Sequence, residues 1–394
     1  MVKHFVAAVA AIAVSFSFAI QPAGAADAPA AAGPYVVTVV LPLTGEAAAL
    51  GADEAASLHA LESTVNAHGG VRGRSVHFAI EDDASDPQTA VHLVDVATGN
   101  GAPVVVGPSL TATCGAVSPV VDPAGPPVFC LAPTIAPRAG GFTFASAPSV
   151  DDAQRVLFRY LVSHKLLRVA IITTTDTSGA DFDARVAALL AQPEFKSLTM
   201  VAHEHFAPSD ADVSAQMARI AAATPDVLLT FSVGTPFATV LRDIRTAGLN
   251  VPVVGAGGNF SLAQIQQFAP LLPGQLLLEG VRGIATDPLA SGAQKSAQDA
   301  YAGALASAGV HSDLATAIAW DPMMIVLEAV KRAGTDAGAE KIEATLEGLR
   351  GFTGIEGTYD FTTHDQRGIG DAAAAVFRYD AASSGFVQVY PVKR

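Results

Sequence analysis

Hydroxyl groups recur where the apolar runs of this chain end. Leu43-Thr44-Gly45 follows Tyr35–Leu41, Gly107-Pro108-Ser109-Leu110-Thr111 follows Val104–Val106, and Ala132-Pro133-Thr134 follows Val128–Leu131. Hydroxyls and free backbone N–H groups gathered beside helix N-termini suit a carboxylate or another small anion. A second set of loops, Thr173–Ser178, Phe231–Thr235 and Gly255–Phe260, is also polar and carries little charge. Thr235 and Asn259 are its candidate ligand contacts. No machinery for turnover accompanies these groups. The chain has no G-x-S-x-G elbow, no H-E-x-x-H, no C-x-x-C and no Walker A run. His203 and His205 alternate, so both leave one face of a strand. Two imidazoles can hold a metal, yet spacing supplies no third ligand. They are read as a solvated strand face, and no metal or other cofactor is expected. Glu81, Asp82, Asp83 and Asp86 lack the calcium-loop pattern and are read as a strand end and helix cap. The expectation is binding without chemistry.

The elements that must position these loops alternate. Tyr35–Leu41, Val76–Ile80, Val104–Val106 and Val128–Leu131 read as strands, separated by helical windows over 51–68, 87–98 and 111–121. Continuous apolar strands with crossover helices mean a parallel sheet covered on both faces. The rhythm restarts near residue 150. Strands at Arg168–Thr173, Leu198–Ala202, Val227–Phe231 and Pro252–Gly255 are spaced by helices, among them Phe237, Val240, Leu241 and Ile244 at i, i+3, i+4, i+7. The last 110 or so residues hold helices over 292–308, 313–333 and 337–348 and late strands near 358–361, 374–379 and 385–389. They are placed as completing the first two units. Pro322 predicts a kink or restart at residue 321. The single Trp320 is read as core. The fold class is α/β, with two Rossmann-like lobes and parallel central sheets whose polar rims form a clamp on a small molecule.

Composition agrees. The 394 residues suffice for two domains. They are 50% hydrophobic and 15% charged, which excludes disorder. A net charge of −14 argues against a nucleic-acid partner. Lys3 and His4, the apolar run Phe5–Ile20 and Ala23-Gly24-Ala25 read as a signal peptide over 1–25, cleaved near Ala25. That predicts a periplasmic protein without a stable membrane anchor. Cys114 opens a helix and Cys130 ends the next parallel strand, so both lie at one sheet edge. A disulfide and two separate buried thiols both remain open.

At this point the sequence resembles the periplasmic solute-binding proteins of the leucine/isoleucine/valine class, which serve ABC importers. Val65-Asn66-Ala67-His68-Gly69-Gly70-Val71-Arg72-Gly73 matches that family's N-A-x-G-G-[IV]-x-G turn. Glu81 to Val91 matches its D-D-x-x-D-P-x-x-A-V run. Leu43-Thr44-Gly45, Val106-Gly107-Pro108 and Leu241–Leu249 also fit, and the likeness spans about 35–390. The resemblance implies a type I periplasmic binding protein with two lobes joined by three crossover segments. The N-terminal lobe takes 35–150 plus 285–356, the C-terminal lobe 151–284 plus 357–394. It implies that Thr111 holds a ligand carboxylate together with backbone N–H groups around Ala132–Ile135 and the hydroxyl of Thr134, and Ser109 in the same loop is a further candidate contact. The partners it implies are a small-molecule ligand and the transmembrane subunits of an ABC permease, with the binding protein a monomer.

The sequence also departs from that pattern. Gly257 stands where amino-acid binders carry the acid for the ammonium group, and Leu50 and Ser178 stand where aromatic shelves are expected. A buried ammonium without a partner costs several kcal/mol. An α-amino acid therefore fits only if Asp176 or Asp181 takes over. The departures favour an aromatic or apolar organic acid, with Phe182, Phe237 and Phe260 as candidates for the tail pocket, although Phe237 also fits a core stripe. A soluble ligand sensor or co-receptor with the same lobes is the alternative reading, and an exported hydrolase a remote one.

Overall fold

A computed structural model describes Met1 and residues 33–122, 125–363 and 365–393. Apart from Met1, the stretch read as a signal peptide lies outside these residues. Contacts separate Met1–Gly33 from Pro34–Arg394, and the second unit holds all the elements below.

The first run is β1 (Tyr35–Leu41), α1 (Ala48–Ala67), β2 (Val76–Asp82), α2 (Pro87–Gly99), β3 (Val105–Val106), α3 (Thr111–Val121), β4 (Val128–Phe129) and β5 (Thr143–Phe144). Its strands form a parallel sheet in the order β2-β1-β3-β4-β5. The β-branched run of β1 is buried almost throughout, as a strand covered on both faces must be. Asp86 caps α2 through its carboxylate, which accepts from the Thr89 N–H at 2.8 Å, and Pro87 follows at the first helical position.

The second run is α4 (Val150–Ser163), β6 (Arg168–Thr174), α5 (Thr177–Leu190), β7 (Thr199–Phe206), α6 (Ser214–Ala222), β8 (Val227–Phe231), α7 (Thr235–Thr246), β9 (Val253–Gly255), α8 (Leu262–Gln267) and β10 (Leu276–Val281). The last run is α9 (Gly292–Ala308), α10 (Leu314–Ala333), α11 (Ala339–Glu347), the hairpin β11 (Arg350–Thr353) and β12 (Thr358–Asp360), then β13 (Ala374–Asp380) and β14 (Gly385–Tyr390). A seven-stranded sheet runs β14-β13-β10-β9-β8-β6-β7, with β13 and β14 antiparallel at one side and β7 at the other edge.

After β10 the chain returns to the first sheet. Helix α1 packs on α10, and Ser57 Oγ donates to the Thr316 carbonyl at 2.7 Å. The chain thus passes between the sheets three times: before α4, after β10, and between β12 and β13. Buried Arg367, on the third passage, donates to the carbonyls of Ala147 on the first and of Ile135.

Two local expectations need correction. Helix α10 continues through Pro322 instead of restarting at residue 321. Its residues from Ala315 to Met323 are all buried, and that packing outweighs the local preference of the residue before proline. Asp321 is itself fixed by tertiary contacts, accepting from the N–H groups of Ile355 and Glu356 and from the Tyr359 hydroxyl. The strand β10 was not among the expected elements. Trp320 lies in the core, edge-on to Tyr301 at 5.0 Å. Cys114 and Cys130 form a disulfide across a Cα separation of 5.9 Å, inside the apolar layer under α2 and α3.

Candidate functional site

The loop after β3 turns at Gly107, whose φ is +91°. A Cβ there would lie 2.0 Å from the Val40 carbonyl oxygen of β1, so only glycine lets the two backbones pass. This turn delivers Ser109 and Thr111 to the start of α3. The residue before the helix, Leu110, offers no side-chain cap to the first-turn N–H groups of α3. The Thr111 and Thr134 hydroxyls hydrogen-bond one another. Ser109 Oγ donates to Glu54 Oε2 at 2.6 Å. Glu54 is fully buried on α1, and burial pushes its carboxyl up to about 8.

These groups border a cavity of about 290 Å³. That is at the small end of the range of about 300–1,000 Å³ in which small-molecule sites fall. Its walls come from both sheets. Ser109, Pro133 and Thr134 lie on one side, and α4, α5, β8 and β10 supply the other. Leu50 of α1 and Leu314 and Ile318 of α10 add apolar surface. Phe182 of α5 stacks on Phe231 of β8 with ring centroids 4.7 Å apart, and both line the space.

Two polar side chains reach this mostly apolar cavity with nothing to bind. Gln154 of α4 is buried, and neither its Oε1 nor its Nε2 has a hydrogen-bond partner. Glu279 of β10 has a buried, unpartnered Oε1. Burial pushes its carboxyl from 4.5 up to about 8. Buried polar atoms are nearly always paired, so two orphans on one cavity wall point to a molecule that pairs them.

The other acids near the cavity are already engaged. Asp181 lines it but accepts from Arg185 Nε at 2.9 Å, and Arg185 also reaches Asp151 at 2.5 Å. Asp176 caps α5, accepting from the Gly179 N–H at 2.9 Å and the Ser178 hydroxyl at 2.7 Å. These hydrogen bonds, the Gly179 one first, hold its carboxyl below the usual range. Each of the two acids already spends one carboxylate oxygen on a neighbour within the protein.

Of the residues expected from the sequence, Leu50, Ser109, Thr134 and Gly257 line the cavity, and Thr111 joins it through Thr134. Ala132 is buried directly before Pro133. Ser178, Thr235 and Asn259 are not brought to it. Ser178 is spent on Asp176, Thr235 is exposed at the start of α7, and Asn259 is fully buried with Nδ2 donating to the Ser232 carbonyl at 2.8 Å. Phe260 packs on Phe377 and Phe386, and Phe237 lies in the core, which leaves Phe182 as the aromatic wall from the expected three. Sequence reasoning missed Gln154 and Glu279. A lone acid inside the apolar run Leu276–Val281 was the available signal for the second.

Beyond Gly257 the cavity has room. A Cβ at this position would come no closer than 3.7 Å to the Glu279 carbonyl oxygen and to Leu314. A family model described as periplasmic binding protein matches residues 15–384. The chain belongs to that family. It is 26% identical over 332 residues to the Leu/Ile/Val-binding protein BraC3 of Rhizobium johnstonii, covering 82% of this chain and 86% of that protein. Among solved structures, an extracellular ligand-binding receptor from Rhodopseudomonas palustris HaA2 superposes with a TM-score of 0.74 at 20% identity, covering 91% of this chain and 99% of that one. A solute-binding protein of an R. palustris ABC transporter, solved in complex with benzoate, gives 0.69 at 19% identity over 91% and 96% of the two chains. These similarities show the type I periplasmic binding protein fold, and this family member is a binding protein rather than an enzyme. Among the described residues no helix is long and apolar enough to cross a membrane.

Proposed function

We propose that this periplasmic binding protein clamps a small carboxylate-bearing solute between two lobes and hands it to the membrane subunits of an ABC importer. The lobes are 35–150 plus 285–356 and 151–284 plus 357–394. The chain acts in the periplasm as a monomer after cleavage near Ala25. The observation that carries the reading is the 290 Å³ cavity with hydroxyls at one side, stacked Phe182 and Phe231 along it, and the unpaired polar atoms of Gln154 and Glu279.

The carboxylate sits at Thr111, Thr134 and the uncapped N–H groups of α3, where the helix end favours negative charge. The body lies against Leu50, Phe182 and Phe231. The bare backbone at Gly257 and a Glu279 that keeps its proton at pH 7 favour an aromatic or apolar organic acid. Protonated Glu279 then donates one hydrogen bond where the ring or chain of that acid carries a polar substituent. Glu279 also supports a second reading, an amino acid whose ammonium displaces that proton. BraC3, named as binding Leu, Ile and Val, and the benzoate-bound neighbour mark these two chemistries.

Calorimetry of the protein against benzoate-type acids and leucine-type amino acids tests the reading. A dissociation constant near micromolar corresponds to about −8 kcal/mol, within reach of a few convergent hydrogen bonds and a buried tail. Binding closes the lobes, because contacts made only in the closed form bias the equilibrium toward it. Small-angle scattering then reports a smaller radius of gyration with ligand. A tightly bound ligand that leaves the radius unchanged refutes the clamp.

A further inference from the structure

Away from the cavity, three side chains from two elements converge at the edge of the larger sheet. His203 and His205 are alternate residues of β7, the outermost strand, and their rings lie 4.5 Å apart. Asp183 comes from α5. His203 Nε2 is 2.9 Å from Asp183 Oδ1, and His205 Nε2 is 2.8 Å from Oδ2. One ligand atom from each of the three falls within 4.8 Å of the others. We propose that His203, His205 and Asp183 bind a divalent transition metal ion of the zinc type.

The chemistry of the donors selects that class. Two imidazoles and one carboxylate suit Zn²⁺, Ni²⁺ or Cu²⁺, whereas Ca²⁺ and Mg²⁺ take oxygen donors almost alone. Each imidazole Nε2 sits within hydrogen-bonding distance of an Asp183 oxygen, and small movements of the three side chains admit an ion at their centre. Zinc needs ligand bonds of about 2.0–2.2 Å to nitrogen and oxygen. The carboxylate is already aimed, because Thr173 Oγ1 lies 3.1 Å from both of its oxygens and donates to it. A hydroxyl that donates to a carboxylate in this way is what orients it toward a metal ion. The histidine side chains keep 30% and 46% of their surface exposed, so the ion can enter from solvent and retain water in its remaining positions.

The placement has a mechanical side. Asp183 follows Phe182 directly, and Phe182 is a cavity wall. An ion held by Asp183 and β7 therefore pins the cleft helix α5 to the sheet edge without touching the ligand. This site does not depend on the proposed transport role.

The test uses the full-length mature protein, untagged and stripped with chelator, in titrations with Zn²⁺ by calorimetry and with Co²⁺ by visible absorption. The expected result is one saturable ion per chain in the micromolar range or tighter and a rise in melting temperature with Zn²⁺. His203→Gln and His205→Gln each weaken binding by about tenfold or more, as loss of one of three ligands requires. Their melting temperatures without metal stay near the parent value, which separates lost ligation from misfolding, and Glu279→Gln leaves the metal titration unchanged. Absence of a saturable 1:1 event, or full affinity retained in both histidine variants, overturns the proposal.

Discussion

Replacing Glu279 by glutamine tests the central physical claim about the cavity. Glutamine keeps the shape of the protonated acid and removes its ability to ionise. In the folded protein burial raises the carboxyl from 4.5 to about 8, and no partner offsets that cost. The unfolded chain ionises the same group near 4.5. Between these values the unfolded state has released a proton that the folded state still holds, so stability falls as pH rises. Each pH unit in that window costs about 1.4 kcal/mol. At pH 7 the accumulated penalty is about 3 kcal/mol, and at pH 5 it is below about 1 kcal/mol. Glu279→Gln should therefore stabilise the unliganded protein by about 3 kcal/mol at pH 7 and by little at pH 5. Urea unfolding of parent and variant at pH 5, 6, 7 and 8 measures the difference. A difference that does not grow with pH, or a variant less stable at pH 7, would mean that the carboxylate has a partner and the reasoning is wrong. The same variant separates the two ligand chemistries. It should abolish most affinity for an amino acid, by tenfold or more on the scale of about 1.5–3 kcal/mol for a charged hydrogen bond, and should spare an organic acid.

Other perturbations probe the remaining parts. Thr111→Ala and Thr134→Ala should each weaken the carboxylate ligand by about tenfold in calorimetry while barely moving the unliganded melting temperature, and unchanged affinity would remove them from the site. Removing the Cys114–Cys130 bridge by double substitution to alanine should lower the unfolding free energy by about 3 kcal/mol, the value for a loop of this length. An unchanged urea midpoint would refute that. Arg367→Met strands the buried carbonyl of Ala147 and that of Ile135. It should cost about 2–4 kcal/mol and raise amide exchange around residues 133–147. Protection equal to the parent would show that the passages between the sheets are held by other contacts.

Much of the fold was legible because its strands are short apolar runs punctuated by turns. Tyr35–Leu41 was read with its observed bounds, and Phe237, Val240, Leu241 and Ile244 form the buried stripe of α7 as their spacing predicts. Failures came where tertiary context outweighs local pattern. The two-residue strand β5 is too short to leave a periodic signal. Leu276–Val281 carries a glutamate that interrupts its apolar run, although Pro273-Gly274 before it and Gly283 after it bound a strand of ordinary length. Missing β10 meant missing Glu279. Gln154 shares a helix with the apolar stripe Val156, Leu157, Tyr160 and Leu161, and nothing in sequence shows that its amide faces a cavity. Asp183 stands 20 residues from His203 on a different element, so only folding unites the three. Ser178 and Asn259 stand away from the cavity for a shared reason: polar loop residues serve the caps and carbonyls beside them.

The return of the chain to its first sheet sets a timetable for assembly. Ser57 on α1 waits for Thr316, which is 259 positions later, and Arg72 waits equally long for the carbonyl of Lys331. A polypeptide cut after β10 would leave α1 resting on β1 and β2 alone, without the helices α9 and α10 that cover its other side. The outer cover of the first sheet is therefore finished only when the ribosome has delivered the chain beyond Lys331.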